Sequence, residues 1–359
     1  MGRFLLVDVG AGTMDVLCYD DDSNHHFKAV VRSPVLTVAE KASAMSGEIL
    51  VVGCEMGGGP VSRVLEEKAR SSRVVMSHSA ALTLHHDLER VSASGMELID
   101  DDDAEERRGT GRYAVLTLGD LEPDRLRLIV EGMGIPFSFD VLGVCAQDHG
   151  MPPRGVSHLD YRQSVFRTFL DSTPRPDALL FNKESVPPTF NRLKSIAQSA
   201  GELSIPEVYV MDSGMAAILG ASLDFHARAA ANSIVLDVAT SHTVAAALEG
   251  IEIVGFFEYH TRDVTVERLD LLVRQLADGK LRHDRVITEG GHGAYVRGAP
   301  GFESIGAVVA TGPRRNLVRG TRLPVIPGAP LGDNMMTGTA GVLEAIRRKK
   351  GLESLEGRF

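Results

Sequence analysis

The sequence predicts an α/β protein built from two similar halves. Three observations point there. Strand-like and helix-like runs alternate along most of the chain. The strand–loop–strand pattern of residues 3–31 restarts at 232–259, a weak internal repeat. At 359 residues the chain exceeds the usual size of one domain and can bury a large core.

The elements follow in order. RFLLVDV and MDVLCYD flank a glycine loop, and HFKAVV follows the turn-forming DDDSN. EILVVG reads as a strand, GGGPVSRVLEEKAR as a loop into a helix, SRVVMS as a strand and AALTLHHDLERVSA as a helix. DDDDAEERRGTGR reads as a charged surface loop. YAVLTLG, a helix over 121–132 and FSFDVLGVCAQDHG continue the alternation, and 149–160 is a linker-like stretch with Pro, Gly and His. DALLFN, a helix over about 189–199 and EVYVMD lead to a small-residue helix, SGMAAILGAS. The second half begins with NSIVLDVATSHTVAAALEG as strand, loop and strand, and IEIVGFFEYHT as a third strand. A helix near 262–278, a Gly-rich segment at 289–301, the strand SIGAVVAT and a closing loop and helix, GDNMMTGTAGVLEAIRRKK, complete it.

Composition narrows the function classes. With 43% hydrophobic and 24% charged residues the chain reads as an ordinary globular protein. A formal charge of −10 argues against non-specific nucleic-acid binding, and the terminal RRKK suits the negative end of a helix dipole. Cys18, Cys54 and Cys145 are odd in number and scattered, which fits a reducing compartment rather than a disulfide framework. No apolar run reaches the roughly 18 residues that span a membrane, and Asp8 interrupts the N-terminal FLLVDV too early for a signal sequence. The expectation is a cytoplasmic protein with neither membrane nor nucleic acid as partner.

The segment DVGAGTMD carries the first chemistry. Backbone N–H groups in a short Gly/Thr loop form a nest for phosphate oxygens where no side chain blocks the approach. Here Gly10, Ala11, Gly12 and Thr13 supply that nest. A carboxylate repels phosphate but holds Mg²⁺ through water, so Asp8 is the candidate metal residue. The loop is neither a dinucleotide fingerprint, since Asp15 takes the place of the third glycine, nor a Walker loop, since no Lys follows.

With its companions, this segment resembles the superfamily of acetate and sugar kinases, heat-shock chaperone ATPases and actin. MDSGMAAILGAS and GTAGVLEAI resemble its two connecting helices, LDVATSHTVAAA stands at its second phosphate loop and VVATGPRRNL at its adenosine turn. The resemblance implies two ribonuclease-H-like domains closing on Mg-ATP. It implies a first domain over 1–222 with an inserted α/β segment at about 32–205, a second over 223–332, and a connecting segment over 333–359. It also implies Asp8 and Asp237 as Mg²⁺ residues, and Gly312 and Arg314 at the nucleoside. Glycines usual after the second aspartate are replaced by Ala239, Thr240, Ser241 and His242, with hydroxyls at Thr240, Ser241 and Thr243 able to donate instead. Asp15 would buttress the first loop. Within the superfamily, GCEMGGGPV, AQDHG, FEYHT, GGHGA and GDNMMTGT are similar to an uncharacterised bacterial and archaeal group sometimes labelled pyruvate formate-lyase activating protein. A radical activase needs closely spaced cluster-binding cysteines, and this chain has none.

Histidines form the second constellation. His149 beside Asp148, His242, His260 near Glu258, and His292 sit in polar or Gly-rich contexts at strand ends, where ligands of α/β sheets gather. Asp148 and His149 are candidates for a base or acceptor contact, and His242 would lie beside the terminal phosphate. An alternative is a metal set of His149, Glu258, His260 and His292. CEMGGGPVSRV offers a further Gly-rich turn for an anionic group or for close packing. Three functions follow: a Mg-dependent ATPase or phosphotransferase acting on a small polar or anionic molecule, a nucleotide-switched protein that binds a protein partner, and a metal-dependent hydrolase.

Overall fold

The computed structural model describes residues 2–355; Met1 and the last four residues of the expected 333–359 segment lie outside them. The opening runs form β1 (Arg3–Val9), β2 (Thr13–Asp20) and β3 (His25–Arg32), an antiparallel meander. A separate four-stranded parallel sheet follows, ordered β6-β5-β4-β7, from β4 (Ile49–Gly53), β5 (Val74–Ser77), β6 (Glu97–Ile99) and β7 (Ala114–Leu118). The chain then returns to the first sheet with β8 (Val141–Ala146), β9 (Leu180–Asn182) and β10 (Glu207–Asp212). The first sheet is ordered β3-β2-β1-β8-β10-β9, with β8 parallel to both β1 and β10. The separate sheet is thus shorter than the inserted segment expected at about 32–205, because β8 and β9 pair within the first sheet.

The second half repeats the plan. β11 (Asn232–Val238), β12 (His242–Glu249) and β13 (Glu252–His260) form the same meander, joined by β14 (Gly293–Val296), β15 (Ala307–Thr311) and β16 (Val325–Pro327) in the order β14-β13-β12-β11-β15-β16. In both sheets the first strand lies between its antiparallel hairpin partner and a parallel strand reached by a crossover. This is the ribonuclease-H-like arrangement, present twice, of the actin-like ATPase fold.

Helices cover the sheets. In the first half these are α1 (Pro34–Ala44), α2 (Pro60–Ala69), the short α3 (His78–Ala81) and α4 (Leu88–Ala93), α5 (Asp101–Arg108), α6 (Pro123–Gly132), α7 (His158–Ser172) and α8 (Asn191–Ser199). Proline at the first turn of α1, α2 and α6 loses no intrahelical hydrogen bond. The acidic run expected as a loop is α5. Asp101, Asp102 and Asp103 occupy its positive first turn, and Arg107 and Arg108 its negative last turn. The helix expected over 80–93 is broken into α3 and α4 by a turn that presents His85 and His86. The stretch 149–160 is no connector: Ser157 caps α7, and His149 and His158 line the central cavity.

Two further helices join the halves. α9 (Ser213–Ser222) ends the first, α10 (Phe225–Ala229) leads into β11, α11 (Val266–Ala277) and α12 (His283–Thr288) serve the second sheet, and α13 (Thr337–Lys349) returns to pack on α9. The crossing is so close that a Cβ on Gly220 would sit 1.8 Å from the Thr337 carbonyl oxygen, and one on Gly341 1.8 Å from that of Ala216. Deeply buried Arg162 ties the halves a second time, bridging Asp212 of β10 at 3.1 Å and Glu258 of β13 at 3.2 Å.

Helix propensity favours Ala over Gly by about 1 kcal/mol, so the crossing decides the sign of a substitution here. Gly220→Ala and Gly341→Ala are expected each to cost about 1–3 kcal/mol or more in urea unfolding. Gly132→Ala, in exposed α6 with open space around it, is expected to be neutral or to stabilise by up to about 1 kcal/mol.

Candidate functional site

The two hairpins meet tip to tip. In the first turn Gly10 N–H donates to the Thr13 carbonyl at 3.0 Å; in the second Ala239 N–H donates to the His242 carbonyl at 3.1 Å. Each turn is braced from outside by a hydroxyl residue at the end of its meander. Ser33 donates its Oγ to the Gly10 carbonyl and its N–H to that of Gly12, while Thr261 does the same to Ala239 and Ser241. The wiring is equivalent although the side chains differ. It leaves the N–H groups of Ala11, Gly12, Thr240 and Ser241 without a partner among the described residues. A Cβ on Gly12 would lie 3.1 Å from Cγ2 of Thr240, so the bare glycine of one turn makes room for the threonine of the other.

Between the turns lies a cavity of about 610 Å³, within the range of small-molecule sites. Asp8, Asp15 and Asp237 line it with Gly10, Ala11, Gly12, Thr13, Thr240, Ser241 and His242. Asp8 and Asp15 face each other across the β1–β2 ladder; Asp237 holds the place of Asp8 in the second half and pairs with Val244. Burial raises the Asp8 carboxyl to about 6, against the Cys145 thiol and Arg192. Burial and the neighbouring Asp8 raise Asp237 to about 7 and, with Asp237 and Asp333 adding to the effect, Asp15 to about 8. Asp15 Oδ1 is buried without a hydrogen-bond partner.

Other candidates sit elsewhere. Asp148 does not line the cavity: its carboxylate accepts from Gly150 N–H at 2.8 Å and from Leu193 N–H at 3.0 Å, so it organises the loop and the start of α8. Thr243 is buried with its hydroxyl on Thr261 at 3.0 Å, and so does not offer it to a ligand. Gly312 lies under Asp237, where its φ of +89° and a Cβ position 2.6 Å from Oδ1 of Asp237 require glycine. Arg314 is exposed outside the cavity, and Pro313 lines it instead.

At one end the histidines gather. The β12–β13 register sets His242 opposite His260, and His292 N–H bonds to the Glu258 carbonyl at 2.8 Å, which brings its ring to the same place. His149 approaches His292 with ring centroids 6.1 Å apart. Burial, reinforced by Arg162, pushes His149 down to about 3, so it is neutral and a weak base. Glu258 is held ionised, at about 2, chiefly by Arg162 against its burial.

Sequence reasoning missed the other end. Glu55 accepts from His86 at 2.8 Å and from Asn191, and the His86 ring lies 5.5 Å from that of His158. The hydrogen bond that His86 donates to Glu55 raises the His86 pKa. Arg192 forks onto Asp120 at 2.7 and 2.8 Å and donates to the Gln147 carbonyl at 2.7 Å. The signal was the polar HHD interrupting an apolar helical pattern. The GGG turn packs tightly: a Cβ on Gly58 would meet the Thr83 carbonyl oxygen at 2.6 Å.

The cysteines do not assemble. Cys18 lies within β2, Cys145 within β8 beside Asp8, and Cys54 near Ser199. Among the described residues, the one group of three Cys, His, Asp or Glu side chains with metal-ligand spacing is His242, His260 and His292. No helix among them is long and apolar enough to cross a membrane.

No curated protein matches the chain. Among solved structures it is similar to a Bacteroides thetaiotaomicron protein described as having an actin-like ATPase fold and unknown function (8% identity, 96% of this chain and 95% of that one, TM-score 0.36). It is similar also to the ROK hexokinase of Thermus thermophilus (13%, 97% and 99%, 0.32) and to a chain of a PilM–PilN type IV pilus biogenesis complex (12%, 96% and 97%, 0.37). A family model described as "Putative pyruvate format-lyase activating enzyme (DUF1786)" matches residues 56–317, well over half of the 359. The chain belongs to that family.

Proposed function

We propose that the protein is a Mg²⁺-dependent nucleotide-binding ATPase or phosphotransferase that acts on a small polar or anionic molecule. The observation that carries this reading is the pair of equivalently wired turns, each with unpartnered N–H groups, closing over three carboxylates. Unpartnered N–H groups suit phosphate oxygens. The carboxylates would repel a bare polyphosphate, so phosphate entry requires a cation. Asp8 and Asp237 offer the hard oxygen donors that Mg²⁺ prefers. Mg²⁺ usually keeps several of its waters, so the two carboxylates would hold it through them. Bound there, Mg²⁺ would neutralise phosphate charge as phosphoryl transfer requires.

The chain's own residues divide the remaining work. Ala11, Gly12, Thr240 and Ser241 would hold the phosphates, and Pro313, Asn334 and Met335 line the side where the nucleoside would rest. Glu55, His86 and Arg192 form a polar opposite wall suited to a hydroxyl-bearing or anionic substrate. A formate-lyase activase, the activity in the family's description, would require clustered cysteines, and Cys18, Cys54 and Cys145 are dispersed.

Calorimetry with Mg²⁺ is expected to show ATP or ADP binding with Kd between about 1 μM and 1 mM, abolished by Asp8→Ala. The absence of heat with ATP, ADP and GTP alike would remove the reading.

A pH dependence follows from the carboxylates. Their folded pKa values lie above the unfolded value of about 3.9, so the folded chain holds more protons between roughly pH 4 and 8. Their contribution to stability therefore falls as pH rises across that window, and a cation offsets the loss. Thermal melts are expected to show a larger Mg²⁺-induced gain in Tm at about pH 8.5 than at about pH 6, with Asp15→Asn shrinking the difference. Equal gains at both pH values would contradict this assignment.

A further inference from the structure

The histidine end of the cavity has a geometry that the nucleotide reading does not use. Three imidazoles reach one point from one sheet: His242 from the start of β12, His260 from the end of β13 and His292 from the turn before β14. Their ring centroids are separated by 4.7, 4.7 and 4.3 Å, and one ring nitrogen of each lies within 4.8 Å of the other two. Three nitrogens at the widest such spacing lie about 2.8 Å from their common centre. A tetrahedral zinc-class ion binds imidazole at about 2.0–2.1 Å, which sets three nitrogens about 1.9 Å from their common centre, so each ring would need to move by about 0.9 Å at most.

Two further observations point to a ligand. His242 Nε2 and His292 Nδ1 are buried with no hydrogen-bond partner, and His292 is only 6% exposed. A buried imidazole nitrogen left without a partner is costly, and a metal ion removes the cost. The opposite nitrogen of His242 is occupied, with Nδ1 2.9 Å from Ser241 Oγ, an arrangement that orients a metal-binding ring. Glu258 stands 3.8 Å from His292 Nδ1 and is already engaged by Arg162 and Gln147. His149 lies farther off, its ring 6.1 Å from that of His292.

We infer that His242, His260 and His292 form a binding site for one zinc-class divalent cation at the end of the cleft, distinct from the Asp8 and Asp237 positions that suit Mg²⁺. Three imidazoles with a fourth position open are the donor set of a zinc site that still takes water or a ligand. Of the three rings only His242 lines the cavity, and its carbonyl closes the second turn, so the ion would fix that turn at the edge of the cleft. The expected sequence-level set of His149, Glu258, His260 and His292 is thereby replaced: His242 enters, and Glu258 and His149 surround the site instead of ligating.

The test uses the whole chain stripped with a chelator and titrated with Zn²⁺ against a chromophoric zinc chelator, with Co²⁺ as a spectroscopic probe. One Zn²⁺ per chain is expected, and the Co²⁺ form should show the intense visible bands of a four-coordinate site. His260→Gln and His292→Gln should each weaken Zn²⁺ binding at least about 100-fold, while Asp8→Asn and Glu258→Gln hold it within about 10-fold of the parent. Metal-free melts of the variants confirm folding, and the Co²⁺ spectrum of the unaltered chain stands alone if one fails to fold. Substoichiometric Zn²⁺ on folded parent protein, an octahedral Co²⁺ spectrum, or unchanged affinity in the two His variants would overturn the inference. Because Asp8→Asn separates the two sites, failure here leaves Mg-nucleotide binding to stand or fall on its own measurement.

Discussion

The close crossing of α9 and α13 is the constraint on which the rest of the structure depends. Two backbones meet at Gly220 and Gly341 with no space for a methyl group, and this contact fixes how the first sheet faces the second. The cavity is built on the same junction. Ser213 and Gly214 begin α9 and line the cavity wall, while Gly338 in α13 lies directly over Asp8, a Cβ there falling 2.0 Å from its Oδ2. A shift of either helix would therefore move the carboxylate floor and the phosphate turns together. Arg162 adds a polar lock at one side, joining Asp212 beneath α9 to Glu258 beneath the histidines.

The two halves share a backbone plan and have been given different chemistry. Gly10–Thr13 braced by Ser33 and Ala239–His242 braced by Thr261 have equivalent hydrogen bonds. Where the first ladder sets Asp15 opposite Asp8, the second sets Val244 opposite Asp237. Where the first turn ends in Thr13, the second ends in His242, backed by His260 across the ladder. At the two hairpins, then, the first half sets a second carboxylate where the second half sets an apolar side chain, and the second half carries the imidazole pair.

Much of this was legible in the residues, for physical reasons that can be named. The hairpins at 3–20 and 232–249 were readable because β-branched and aromatic runs bracket a short turn. The connecting helices were readable because only small side chains permit such a crossing. The acidic run at 100–112 was misread because its net polarity hides a helix whose charges complement its own dipole. Asp148 was misassigned because sequence cannot show that two backbone N–H groups already occupy its carboxylate. His242, His260 and His292 were each singled out, yet their grouping depends on strand register and on one hydrogen bond from His292 to Glu258, neither of which spacing in the chain reveals. The Glu55–His86 wall was missed because it comes from the separate sheet, whose placement over the cleft is a tertiary fact.

The central claim is that the cleft between the two turns receives the phosphates of a Mg-nucleotide. The most direct measurement is a crystal structure of the chain grown with Mg²⁺ and a non-hydrolysable ATP analogue. The account predicts phosphate oxygens within hydrogen-bond reach of the N–H groups of Ala11, Gly12, Thr240 and Ser241, with the ion between Asp8 and Asp237. An analogue bound outside the cleft, or a cleft left without one at saturating concentration, would contradict it.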